Sequence, residues 1–149
     1  MEEVIQRFND RGVRYLVIGG QAMRLEGMPR FSMDWDIFLP GKDSANLRLI
    51  NELLPEDLDI PVEGVGPKGE NLIQTYQTRW GVIQFHLGAP GLPPFDECER
   101  RSVVRRTENG VEVRCVCGAD LLLAKKAANR PQDQQDIAFL EKKMEAGLL

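Results

Sequence analysis

The chain has 149 residues, 42% of them hydrophobic and 28% charged, a length suited to one domain over residues 1–149 and a balance unlike that of a disordered chain or a coiled coil. The net charge of -4 supplies no overall positive field for holding a nucleic-acid backbone. Three cysteines without a CxxC pair, and a single histidine, His86, argue against a zinc centre and for reduced thiols. The acidic, amphipathic start lacks the basic and apolar runs of a signal peptide, and no stretch reaches the roughly 18 apolar residues of a membrane span. A cytoplasmic protein without a membrane partner is expected.

Val4, Ile5 and Phe8 fall at helical spacing before Asp10-Arg11-Gly12, which predicts a helix over Glu2 to Arg11. Tyr15 to Ile18 reads as a short apolar strand, Gly19-Gly20 as a turn, and Gln21 to Glu26 as a helix. Phe31 to Leu39, rich in β-favouring residues and closed by Pro40-Gly41, reads as a second strand. Lys42 to Leu54 has the apolar spacing of a helix, and Pro55 stops it. The proline- and glycine-interrupted stretch from Asp57 to Asn71 predicts a loop.

Gly81 to Leu87 alternates, with Gln84 and His86 sharing one face. Pro/Gly-rich sequence follows. Asn109-Gly110 between Ser102–Thr107 and Val111–Val116 predicts a hairpin, with Cys115 and Cys117 on one face of its second strand. Ala119 to Ala128 reads as a helix, and Pro131 opens a last helix running to about Met144.

Chemistry concentrates between Leu16 and Leu39. Side chains at i and i+2 of a strand share a face, so Asp34 and Asp36 present paired carboxylates, a natural partial ligand set for Mg²⁺ that phosphate oxygens and water complete. The preceding glycine turn offers backbone N–H groups to phosphate. Together these parts describe a Mg²⁺–nucleoside triphosphate site.

The block Val17-Ile18-Gly19-Gly20-Gln21-Ala22, followed by Arg30-Phe31-Ser32-Met33-Asp34-Trp35-Asp36-Ile37, resembles the signature of the DNA polymerase β-like nucleotidyltransferase superfamily. The tail from Ala119 to Asp136, a lysine-bearing helix leading into Arg130-Pro131-Gln132-Asp133-Gln134-Gln135-Asp136, is similar to AbiEii-type and minimal nucleotidyltransferase-like (MNT) proteins. The resemblance implies a single α/β (α+β) domain with the nucleotidyltransferase fold, a mixed β-sheet flanked by helices. It implies Gly19 and Gly20 near a triphosphate, and Asp34 and Asp36 on Mg²⁺ or Mn²⁺. The reaction implied is transfer of a nucleoside monophosphate from an NTP to a hydroxyl of protein, RNA or small molecule, in a toxin–antitoxin or phage-defence setting with a cognate partner protein.

Ser32 is placed to face the same site, and Lys125, or else Lys126, to neutralise phosphate charge. Arg24 and Arg30 flank the carboxylate strand as phosphate contacts or surface cations. Asp133 and Asp136, at i and i+3, are expected to pair with Arg130 or other basic residues.

The family's third carboxylate, on a later strand, is not matched: Gln84 stands at the expected position. An amide is a poor base and brings no charge to a second metal. His86, two residues on, is the alternative base, and Asp96 or Glu97 in the following loop a further one. The rival reading is a catalytically weakened nucleotide-binding or protein-binding module.

Overall fold

The computed structural model describes all residues from Met1 to Leu149. The elements run α1 (Glu2–Arg11), β1 (Leu16–Ile18), α2 (Gly19–Leu25), β2 (Trp35–Phe38), α3 (Ser44–Leu53), β3 (Ile73–Thr78), β4 (Gly81–His86), α4 (Phe95–Arg100), β5 (Val103–Arg106), β6 (Glu112–Cys115), α5 (Gly118–Ala128), a 3-10 turn (Pro131–Asp133) and α6 (Gln134–Glu145). The six strands form one mixed sheet in the order β3-β4-β2-β1-β6-β5. β1 is antiparallel to β2 and parallel to β6, while β2 is parallel to β4. β3 and β5 are antiparallel edge strands. No helix is long and apolar enough to cross a membrane.

The core follows from the apolar spacing. Val4, Ile5 and Phe8 of α1 and Leu47 and Ile50 of α3 are buried, with Leu16, Val17, Ile37, Ile83 and Phe85 of the sheet. Asp43 caps α3 by accepting a hydrogen bond from the backbone N–H of Asn46 at 3.0 Å. All three cysteines are unpaired thiols, and burial pushes Cys98 and Cys115 up to about 12.

Several expected elements change. β2 begins at Trp35, so Asp34 lies outside it and Phe31 to Met33 form no strand. β1 meets only Asp36, Ile37 and Phe38, and Trp35 is held by β4 alone, opposite Ile83. Gly19 and Gly20 are the first residues of α2 and not a separate turn. Cys117 lies beyond β6, at the N-cap position of α5 and without a side-chain capping bond. β3 and α4 were not expected; β3 is a half-exposed edge, and α4 is hidden behind Pro93-Pro94, with Pro94 at its N-cap. Asp96 and Glu97 therefore sit on a helix, and Asp96 accepts from Arg14 at 2.8 Å. Neither lines the cavities around Asp36.

Candidate active site

The site forms where the end of β1 meets the start of β2. Antiparallel pairing sets Ile18 opposite Asp36, so the chain leaving β1 passes directly over that carboxylate. Gly19 has φ +67, and a Cβ there would lie 2.5 Å from Asp36 Oδ2. A side chain is excluded twice, by the left-handed backbone and by contact. At Gly20 a Cβ would come within 2.6 Å of Ser32 Oγ. Two glycines thus let the backbone run directly against Asp36 and Ser32 with no side chain between them.

A cleft of about 510 Å³ opens over this backbone and brings together Gly19, Gly20, Ser32, Asp34, Asp36 and Lys125. It also contains Arg30, Arg130, Asp133 and Asp136. Phe31 and Met33 at its rim are 80% and 73% exposed. Arg24 is absent from this cleft and donates to Gln21 Oε1. Lys126 pairs on the surface with Glu141 at 3.0 Å.

The cations of the cleft are held by two aspartates whose side chains are almost fully buried. Asp136 Oδ2 lies 2.6 Å from Arg30 Nη1 and 3.0 Å from Lys125 Nζ. Asp133 takes two bonds from the Arg130 guanidinium, at 2.8 and 3.0 Å, and accepts the Arg130 backbone N–H at 3.0 Å. Lys125 Nζ is also 3.5 Å from Asp133 Oδ1. The expected pairing of Asp133 with Arg130 is present; the partners of Asp136 are 106 and 11 positions away, and Arg30 among them is fixed only by the fold. Removing one member of such a buried set strands the others without compensation.

On β4, Gln84 stands directly across from Asp36 in the ladder, yet its amide makes no hydrogen bond to the protein. His86 makes the contact instead, with Nε2 2.9 Å from Asp36 Oδ1. An ionised Asp36 accepts from Nε2–H, which fixes the tautomer and leaves Nδ1 with its lone pair and no protein partner.

No group of three or more His, Cys, Asp or Glu side chains converges as a complete metal cage. The donor set still fits Mg²⁺, which is held by one or two carboxylates and completes its octahedron with substrate phosphates and water. Asp34 and Asp36 would hold it. The cleft's four carboxylates outnumber its three cations by one, an excess that one divalent ion reverses in favour of a triphosphate.

Sequence comparison finds no matching family model and no matching curated protein. Solved structures do match. The antibiotic-resistance factor ANT(2″)-Ia, in complex with adenylyl-2″-tobramycin, aligns at 18% identity with a TM-score of 0.50, over 92% of this chain and 82% of its own. The chain has the nucleotidyltransferase fold. The solution structure of ANT(2″)-Ia aligns at 16% identity and a TM-score of 0.46, over 98% of this chain and 91% of its own. A proposed nucleotidyltransferase from Thermotoga maritima aligns at 16% identity and a TM-score of 0.45, over 78% of this chain. The chain spans 63% of the length of that protein.

Two outcomes follow from this geometry. Gly19→Ala is expected to cost about 1–2 kcal/mol for the left-handed backbone and to displace Asp36; thermal melts should then show a lower Tm and no further rise with Mg²⁺-ATP. The hydrogen bonds from Arg130, reinforced by Lys125, hold Asp133 down to about 2. Because its folded value is depressed, the stability it confers is present above its unfolded value near 4 and is lost as pH falls towards 2. Denaturant titrations between pH 5 and 2 should show that loss in the wild type and a flatter acid limb in Asp133→Asn.

Proposed function

We infer that the chain is a metal-dependent nucleotidyltransferase, moving a nucleoside monophosphate from an NTP to a hydroxyl acceptor. The observation that carries this reading is the convergence of side-chain-free backbone at Gly19 and Gly20 with Asp34, Asp36 and Lys125 in one cleft. In it, Gly19 and Gly20 admit phosphate oxygens to the backbone and Ser32 offers a hydroxyl. Lys125 and Arg30, pinned by Asp136, present fixed positive charge to the leaving pyrophosphate. Asp34 and Asp36 would hold a Mg²⁺ or Mn²⁺ ion, which would supply charge stabilisation for the phosphoryl oxygens.

The acceptor oxygen bonds to the α-phosphorus while the bridging oxygen to the β-phosphorus leaves with pyrophosphate. The acceptor proton passes to His86 Nδ1, with Asp36 holding the ring through Nε2. The toxin–antitoxin or phage-defence setting, a protein partner and a cytoplasmic location rest on the sequence resemblance and composition alone. One specific observation favours a second reading, a nucleotide-binding module without turnover: the residue facing Asp36 across the ladder is the neutral Gln84.

Pyrophosphate release from each ribonucleoside triphosphate, with Mg²⁺ or Mn²⁺ and lysate-derived acceptors, separates the two. Wild-type release that vanishes in Asp34→Ala and slows about 10²–10⁴-fold in His86→Ala is the expected result. Silence from the wild type with release by Gln84→Asp supports the second reading. Silence from both, with no nucleotide binding, contradicts both.

A further inference from the structure

The two carboxylate oxygens of Asp36 have different surroundings. Oδ1 lies 2.9 Å from His86 Nε2. Oδ2 faces the bare backbone of Gly19, 2.5 Å from where a Cβ would stand, and takes no hydrogen bond from the protein. The Asp34 carboxylate is equally unengaged: the contact from Ser32 Oγ, at 3.4 Å, goes to the backbone oxygen of Asp34. The other carboxylates of the cleft are occupied, Asp133 by Arg130 and Asp136 by Arg30 and Lys125. Anionic oxygen open to a ligand is therefore confined to Asp34 and one side of Asp36.

Two-ion sites for phosphoryl transfer hold their metals about 3.5–4 Å apart and clamp both the attacking and the leaving oxygen. Divalent ions that close repel one another strongly, and a carboxylate that holds them together gives one oxygen to each. Asp36 cannot bridge in that way while His86 holds Oδ1. No third His, Cys, Asp or Glu joins Asp34 and Asp36 in a cluster. The residue paired with Asp36 across the ladder is Gln84, whose amide brings no charge to offset a second ion. What remains matches one hard cation with its phosphate and water ligands.

We propose that the cleft takes a single divalent ion, and that His86 stands where a second one would need to bind, at Oδ1 of Asp36. This rests on the nucleotidyltransferase reading of the cleft. A neutral imidazole donating Nε2–H to Oδ1 adds no positive charge beside the ion. A second ion would help the acceptor by lowering the pKa of its hydroxyl. In the single-ion site that proton passes instead to Nδ1 of His86, from the oxygen that bonds to phosphorus. Gln84 and His86 together set the metal count, the one by withholding charge and the other by holding the oxygen.

The test counts bound Mn²⁺ by equilibrium dialysis at a saturating concentration of a non-hydrolysable NTP analogue. Electron paramagnetic resonance then reads the spin–spin coupling of the bound ions, which separates a close pair from isolated ions elsewhere on the surface. The wild type is expected to hold one Mn²⁺ per chain in the cleft, with the spectrum of an isolated ion. The double variant Gln84→Asp/His86→Ala supplies a carboxylate across the ladder and frees Oδ1, and is expected to hold two coupled ions. Each single variant should stay at one.

A coupled pair in the wild type or in either single variant overturns the proposal, as does a single ion in a double variant whose thermal melt shows it folded. If the double variant does not fold, the wild-type spectrum decides alone. Absence of any analogue-dependent Mn²⁺ binding in the wild type defeats the underlying reading and this proposal with it, whereas a coupled pair there defeats this proposal and leaves that reading standing.

Discussion

The short antiparallel contact between β1 and β2 fixes everything that follows at the site. It sets Ile18 against Asp36, and the chain must then turn away within a single residue. Only glycine fits that step, because the backbone is left-handed and the Asp36 carboxylate occupies the space a Cβ would need. The same absence of side chain that relieves the clash exposes backbone beside a carboxylate. Bare backbone of this kind is a by-product of how tightly two strands are joined.

Electrostatics are organised from below by α5, the 3-10 turn and α6. Asp133 and Asp136 are buried among the cations they hold, at distances of 2.6 to 3.5 Å. Burying two carboxylates is costly unless they are paired and hydrogen-bonded, and here each has at least two partners. Three long, flexible side chains are thereby held at one cleft before any ligand arrives, which lowers the ordering cost of binding. Arg30 comes from the connection between α2 and β2, Lys125 from α5 and Arg130 from just beyond it, so the site and the packing of the C-terminal helices depend on each other.

Local patterns carried much of this into the sequence. The helix Glu2–Arg11 matches its apolar spacing to the residue and the Asn-Gly hairpin is where its chemistry put it, whereas Gly19-Gly20 opens α2 and Asp34 precedes β2. Strand limits were less legible: β1 meets β2 only from Asp36 to Phe38, Trp35 pairs with β4 alone, and Asp34 falls just before the first paired residue. α4 is readable in hindsight from Pro94 followed by Asp96 and Glu97 in the first turn. Arg30 as a partner of Asp136 is a product of tertiary folding, with no local signal. His86 is intermediate: alternation put it on the face of Gln84, but only the diagonal reach from β4 to β2 shows it meeting Asp36.

On the proposed function, Asp34 and Asp36 hold a divalent ion jointly with a triphosphate. Electron paramagnetic resonance titration of Mn²⁺ tests it most directly, with and without a non-hydrolysable NTP analogue, in the wild type and in Asp36→Asn. The expected result is weak Mn²⁺ binding by the protein alone, marked tightening when the analogue is added, and loss of that tightening in the variant. Mn²⁺ binding that is indifferent to the analogue, or unchanged by Asp36→Asn, would contradict it.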